Sequence, residues 1–556
     1  MSVRLTVVCS VIPLIAAAAL AAPPALQLPA GAQNAAALID RGTLEGPVRF
    51  LADDLLEGRA PSHPGDEVAC RYAASVMEAL GLEPGAPGGR WEQRFEIVGI
   101  TTSAPPTWTF RSGGKETALR YWDDFIAASG VQAPEVSIPE TELVFVGYGI
   151  QAPEYRWDDF KGADVKGKIL VMMNNDPDWD PSLFAGTRRL YYGRWSYKYE
   201  SAARQGAAGA IIIHTTPSAG YGWKVVQNSW TGEQFELPAA GEPRIQVRAW
   251  TTEDATRRVL AAAGFDLDAL VKKARSRDFR PVPLGITTSL RLVNALKRGE
   301  TANVLGLIRG RDPVLKDQVV VFSAHHDHLG VGKPDAKGDT IYTGAVDNAT
   351  GVAQVLAIAK AFMALPERPR RSILFAIVSC EESGLLGSAY YAAHPTFPPD
   401  KIAADINFDA GNIFGKTRDV ALVGKGKSSL DAVAEAAAAL QGRVVTDEAF
   451  PDRGAYYRSD HFSFARIGVP GLYFKGGLDY VGRDPGWGRK VTEEWGSAHY
   501  HQPSDEWSES WNFDGMIEDS QLGFFAGLAV ADADVMPTWV PGDEFAGVRA
   551  AAHAAN

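Results

Sequence analysis

The sequence predicts an α/β protein in which a mostly parallel central sheet is flanked by helices and interrupted by a smaller α+β, β-rich insertion. Three observations carry this. The chain has 556 residues, too many for one ordinary domain. After residue 302, apolar runs alternate with helical patterns: NVLGLI (303–308), VVVFSA (319–324), SILFAIVS (372–379), ADINF (404–408) and VPGLYF (469–474). Continuous runs of this length, rich in Val and Ile, suit strands buried on both faces, and their alternation with helices suits a parallel sheet. Between about 115 and 290 the texture changes to short β-rich runs split by Gly, Pro and Asp.

Taken in order, residues 1–22 combine Arg4, an apolar run and the small-residue end Ala19-Leu20-Ala21, the layout of a secretory signal peptide. The run is too short for a spanning helix, which needs about 20 residues. The expected location is therefore secreted or periplasmic, with no stable membrane insertion after cleavage. Residues 23–40, rich in Ala and Pro, read as a loose leader. Residues 41–115 open the main domain and include a helix over 64–81 that stops at a glycine. Residues 116–290 form the insertion, with a helix running into a buried strand over 198–213. Residues 291–535 resume the main domain, with helices expected at 349–365, 428–441 and 516–532. Residues 536–556 are left as a tail.

Composition narrows the function. Hydrophobic residues make up 46% and charged residues 22%, an ordinary globular balance. A net charge of −12 argues against a nucleic-acid partner, which wants a basic face. Beyond the leader only Cys70 and Cys380 remain, too few and too far apart for a disulfide framework. Cys380, following an apolar run, reads as a buried thiol.

The chemistry gathers at strand ends, where open α/β sheets bind ligands. VVVFSA runs into His325-His326-Asp327-His328, SILFAIVSC into Glu381-Glu382, and ADINF into Asp409. GAVDNATG sets Asp347 before a helix, and SAHYHQPSDEW brings His499, Tyr500 and His501. Carboxylates at the mouth of a buried strand cost free energy unless a cation pairs with them. Imidazoles with carboxylates and no cysteine match the donor set of a zinc-type catalytic site.

In AHHDHLG, GAVDNATG, CEESGLLGS, INFDAG, SDHFSF and YHQPSDE the chain resembles the zinc aminopeptidases of peptidase family M28. The opening FLADDLLEGRAPSHPGDEVACRYAASVMEALGLEP is also similar, and FVGYGIQAPEY with KGKILVMM resembles a protease-associated (PA) domain inserted in the zinc-exopeptidase-like fold. The resemblance implies two zinc ions bridged by Asp347, one also held by His325 and Asp409 and the other by Glu382 and His501. It further implies Glu381 as general base, Tyr500 as a donor to the tetrahedral oxyanion, peptide substrates, and a cis peptide after Asp347. Side chains alternate along an extended segment, so His325 and Asp327 face one way and His326 the other. That makes Asp327 the expected partner of the second ring nitrogen of His325, with His326 and His328 as packing or loop residues. The segment 476–502 is read as a rim over the site. Three other activities share parts of this pattern: a glutamate-carboxypeptidase-like exopeptidase, a glutaminyl-cyclase-like acyltransferase, and a metal-free binding protein. The first needs a basic pocket, the second uses one zinc and lacks the insertion, and the third has lost ligands.

Overall fold

The computed structural model describes residues 26–554, so the signal-peptide reading lies outside the described residues. The main sheet runs in the order 92–103, 282–308, 372–378, 319–325, 402–407, 471–476, 419–422, 444–447. Its centre is parallel: Val319–His325 lies between Ser372–Val378 and Ile402–Asn407, and the latter pairs with Gly471–Gly476. Every residue of the first three strands is buried, which is why they are apolar without alternation. The helices Arg41–Leu51, Thr350–Met363 and Asp514–Asp532 bury their side chains in one large core on one face of this sheet. On the other face Tyr391 and Phe464, from Leu386–Ala393 and His461–Arg466, cover Leu305, Val321 and Leu374.

The insertion has its own parallel core, with Ile169–Met173 between Glu135–Phe145 and Gly209–His214, and Val247–Thr252 beyond. Its hydrophobic clusters are separate from those of the main domain. One strand of 27 residues, Val282–Ile308, joins the two bodies. Its first half pairs with Glu135–Phe145, and its second half with Glu92–Ser103 and Ser372–Val378. The proposed border at 290/291 thus falls inside a continuous strand. The border at 115/116 falls in the hairpin of Thr107–Ser112 and Lys115–Arg120.

Two readings are corrected. The described part of 23–40 is not loose: Ala32, Ala35, Ala36 and Ile39 are buried in the main core, and Asp40 caps the next helix by accepting from Thr43 N at 2.9 Å. Nor is 536–556 a free tail. Trp539 donates its indole N–H to Gly468 O at 2.8 Å, and Phe545 packs on Tyr456, Tyr457 and Phe462. Small or widely spaced apolar residues in both segments gave no periodic signal. Within 476–502, the helix Trp487–Ala498 supplies part of a cavity wall.

Candidate metal centre

The parallel strands deliver their polar residues to one edge. His325 is the last residue of Val319–His325, while Glu381 and Glu382 follow Ser372–Val378 by a short turn. Asp409 lies two residues beyond Ile402–Asn407, and Asp347 sits in the loop Gly344–Ala349, with a cis Asp347–Asn348 peptide. His501 follows the helix Trp487–Ala498 and adopts a left-handed φ of 54°.

Asp347 lies between two imidazoles. Its Oδ1 is 3.3 Å from His325 Nε2, and its Oδ2 is 3.4 Å from His501 Nε2. Each imidazole faces one further carboxylate: Asp409 Oδ1 at 3.9 Å from His325 Nε2, and Glu382 Oε2 at 3.1 Å from His501 Nε2. The structure therefore brings together all five residues expected as ligands, in the two expected pairs about Asp347. Both Nε2 atoms are buried and, among the described residues, have no hydrogen-bond partner. Oxygens crowded round unpartnered imidazole nitrogens, with no thiolate, suit a divalent cation of the zinc type.

Electrostatics point the same way. Burial pushes Glu382 and Asp409 up, but cationic neighbours outweigh it: His501 and His328 hold Glu382 at about 2, and Lys475 and His325 hold Asp409 at about 2. Burial opposes charge on His501, yet Glu382 and Asp347 raise it to about 9. His325 is likewise raised, by Glu381, Asp327, Asp347 and Asp409 against burial. Glu381 behaves oppositely to its neighbour: burial, with Glu382 and Asp409 close by, pushes its carboxyl well above the usual range.

The surrounding layer was only partly legible. The Asp327 carboxylate lies 3.6 Å from His325 Nδ1, while that nitrogen is 3.2 Å from the Asp327 carbonyl oxygen. The carboxylate instead accepts the backbone N–H groups of Glu381 and Glu382, at 3.0 and 3.3 Å. His326 turns away, as alternation requires, towards Asp66, Cys70 and Ala302 O. His328, expected as a packing or loop residue, is a buried loop residue that also reaches the site, with Nδ1 2.8 Å from Glu382 Oε1, because the strand ends at His325 and alternation lapses beyond it.

Other supports carried no distinct signal. Asp505 accepts from Val346 N and Asp347 N at 2.8 and 3.0 Å. Asn348 bonds Phe408 O, Gly351 N and Ala410 N, tying the Asp347 loop to the Asp409 loop. The buried Arg59 donates to His326 O at 2.6 Å and Gly344 O at 3.0 Å. Gly344 must be glycine: a Cβ there would meet Asp347 O at 2.2 Å and the His328 ring at 2.5 Å. From the insertion, Ser229 Oγ lies 2.6 Å from His501 Nδ1.

Two cavities meet at Glu381, Tyr221, Arg458 and Tyr500. The larger, about 550 Å³, reaches Asp347 and Asp409 and is walled by Ile413, Phe414, Phe450, Tyr480 and Trp495. The smaller, about 190 Å³, lies between the domains against Arg194 and Trp195. Tyr500 accepts from Arg458 Nη2 at 2.9 Å, and burial raises its phenol, so it stays a donor. Among the described residues, the buried Arg194 guanidinium has no hydrogen-bond acceptor and no ion-pair partner.

Residues 303–524 match the model described as Peptidase family M28. Over 113 residues the chain is 34% identical to Aminopeptidase NAALADL1 of Rattus norvegicus, a stretch covering 20% of this chain and 13% of that protein. Over 92 residues it is 37% identical to a Probable zinc metalloprotease of Pyricularia oryzae, covering 16% of this chain and 17% of the relative. The matches thus span under a fifth of either relative's length. The solved aminopeptidase from Aneurinibacillus sp. strain AM-1 superposes with a TM-score of 0.52 at 19% identity, covering 89% of this chain and 95% of that chain, a likeness of fold. The matched region runs from the long shared strand to the helix Asp514–Asp532 and contains the histidine, aspartate and glutamate cluster, so it is this part of the chain that is similar to peptidase family M28.

Proposed function

We propose that the chain is a zinc-dependent exopeptidase, specifically an aminopeptidase that removes N-terminal residues from peptides at a two-ion centre. One observation carries the reading: the two oxygens of Asp347 each face a different imidazole, and each imidazole faces its own second carboxylate. His325 and Asp409 would hold one ion, His501 and Glu382 the other, with Asp347 between. Zinc bound there would polarise the scissile carbonyl and bring a water towards ionisation near neutral pH.

The remaining roles belong to the protein. Glu381 borders both cavities, and its raised proton affinity suits a base that takes the water's proton and delivers it to the leaving amine. Adjacent side chains diverge, which lets Glu382 face the cation while Glu381 faces the substrate. Tyr500, oriented by Arg458, donates to the oxyanion. The apolar cavity takes the side chain of the residue removed. The insertion is read as a protease-associated domain that walls the cleft through Tyr221 and Val225. Residues 1–22 are read as a cleaved signal, giving a secreted or periplasmic enzyme. Among the described residues no helix is long and apolar enough to cross a membrane.

A second reading has one observation in its favour. The unpaired Arg194, with Arg458 beside it, gives the smaller cavity the basic wall that a glutamate-carboxypeptidase-like exopeptidase needs for a substrate carboxylate. A panel of aminoacyl-anilides, N-acetylated peptides with free C-termini and N-terminal-glutamine peptides separates the readings. The aminopeptidase predicts turnover of anilides and none of N-acetylated peptides; the reverse pattern transfers the assignment to the carboxypeptidase, and cyclisation of glutamine to the acyltransferase.

A further inference from the structure

His501 is held from outside its own domain. It sits in a loop of the main domain, buried, at a φ that L-residues rarely adopt. Two consecutive residues of the insertion, at the end of the short helix Trp223–Ser229, grip it. Asn228 donates its side-chain amide to His501 O at 2.9 Å, and Ser229 Oγ lies 2.6 Å from His501 Nδ1. Among the described residues no other hydrogen bond reaches the carbonyl or ring of His501. The helix is keyed into the insertion, because Trp223 Nε1 and Gln227 Nε2 both donate to Trp122 O, at 2.9 and 2.8 Å, and Val226 is fully buried.

The two contacts do different work. Asn228 fixes the backbone of a left-handed residue. Ser229 fixes the ring: for Nε2 to offer a lone pair to a cation, Nδ1 must carry the proton, and the serine oxygen is placed to accept it. We propose that Ser229 and Asn228 are positioning residues for the metal centre, so that the insertion supplies the outer partners of His501 and completes a site whose ligands all come from the other domain. The proposal rests on the reading of His501 as a metal ligand.

The test uses the full chain, stripped with chelator and titrated with zinc alone, following bound metal directly. The wild type should bind two equivalents. In Ser229→Ala one of the two should weaken by roughly 10- to 100-fold while the other is unchanged, the usual scale for losing an outer partner of a ligating histidine. Ser229→Thr, which keeps the hydroxyl, should restore the affinity. With chelator present the melting temperature of Ser229→Ala should equal that of the wild type, which a merely structural role for the serine would not give. Wild-type zinc affinity in Ser229→Ala, or equal loss in the alanine and threonine variants, overturns the proposal while leaving the two-ion centre intact. A wild-type chain that takes up no zinc overturns the metal centre itself.

Discussion

Glu381 and Glu382 are chemically identical neighbours with opposite surroundings. Glu382 faces His501 and His328, which hold its carboxyl down at about 2, whereas Glu381 is buried among other carboxylates and binds its proton more tightly. Glu381→Gln should therefore lower kcat by roughly 10²- to 10⁴-fold and leave the zinc content unchanged, measured on the same preparation. Undiminished turnover would remove Glu381 as the base. His325→Ala should lose bound zinc. His326→Ala should keep it but cost about 2–4 kcal/mol in denaturant unfolding, because that ring fills a buried gap between Asp66, Cys70 and Ala302. The opposite pattern would mean that the register of the cluster is off by one. At this scale the residues proposed as ligands were legible because each closes or closely follows an apolar strand or a recognisable motif. His328 and Ser229 were not. The first lies beyond the strand end at His325, where alternation no longer applies, and the second is one serine 272 residues from its partner.

The buried parallel strands were readable because complete burial demands uninterrupted apolar sequence. The strand Val282–Ile308 was seen only at its end, NVLGLI, since its earlier part alternates exposed and buried residues and carries Lys, Arg and Glu. Its continuity across both bodies is a long-range pairing that no local pattern records. The same holds for the C-terminal segment, whose anchors are single aromatic residues. Trp539→Ala should cost about 3 kcal/mol of stability, by loss of a buried indole and its bond to Gly468, without altering zinc content. Unchanged thermal and denaturant unfolding would show that the segment contributes nothing to the main domain.

In the whole molecule, two bodies sharing one strand enclose a cleft, and the carboxylates and imidazoles lie where the cleft meets the strand ends. Four carboxylates, those of Asp347, Glu381, Glu382 and Asp409, converge there, so a divalent cation should stabilise the folded chain by binding it in preference to the unfolded one. Zinc at about a thousandfold over its dissociation constant contributes roughly 4 kcal/mol, so chelation should lower the melting temperature measurably and zinc should restore it. The measurement that bears most directly on the centre is the zinc stoichiometry of the purified chain, titrated from the stripped state while hydrolysis of a leucine anilide is followed. Two equivalents per chain are predicted, with either His325→Ala or His501→Ala reducing the count. Saturation at one equivalent, or a count unmoved by both substitutions, would contradict a centre built around Asp347.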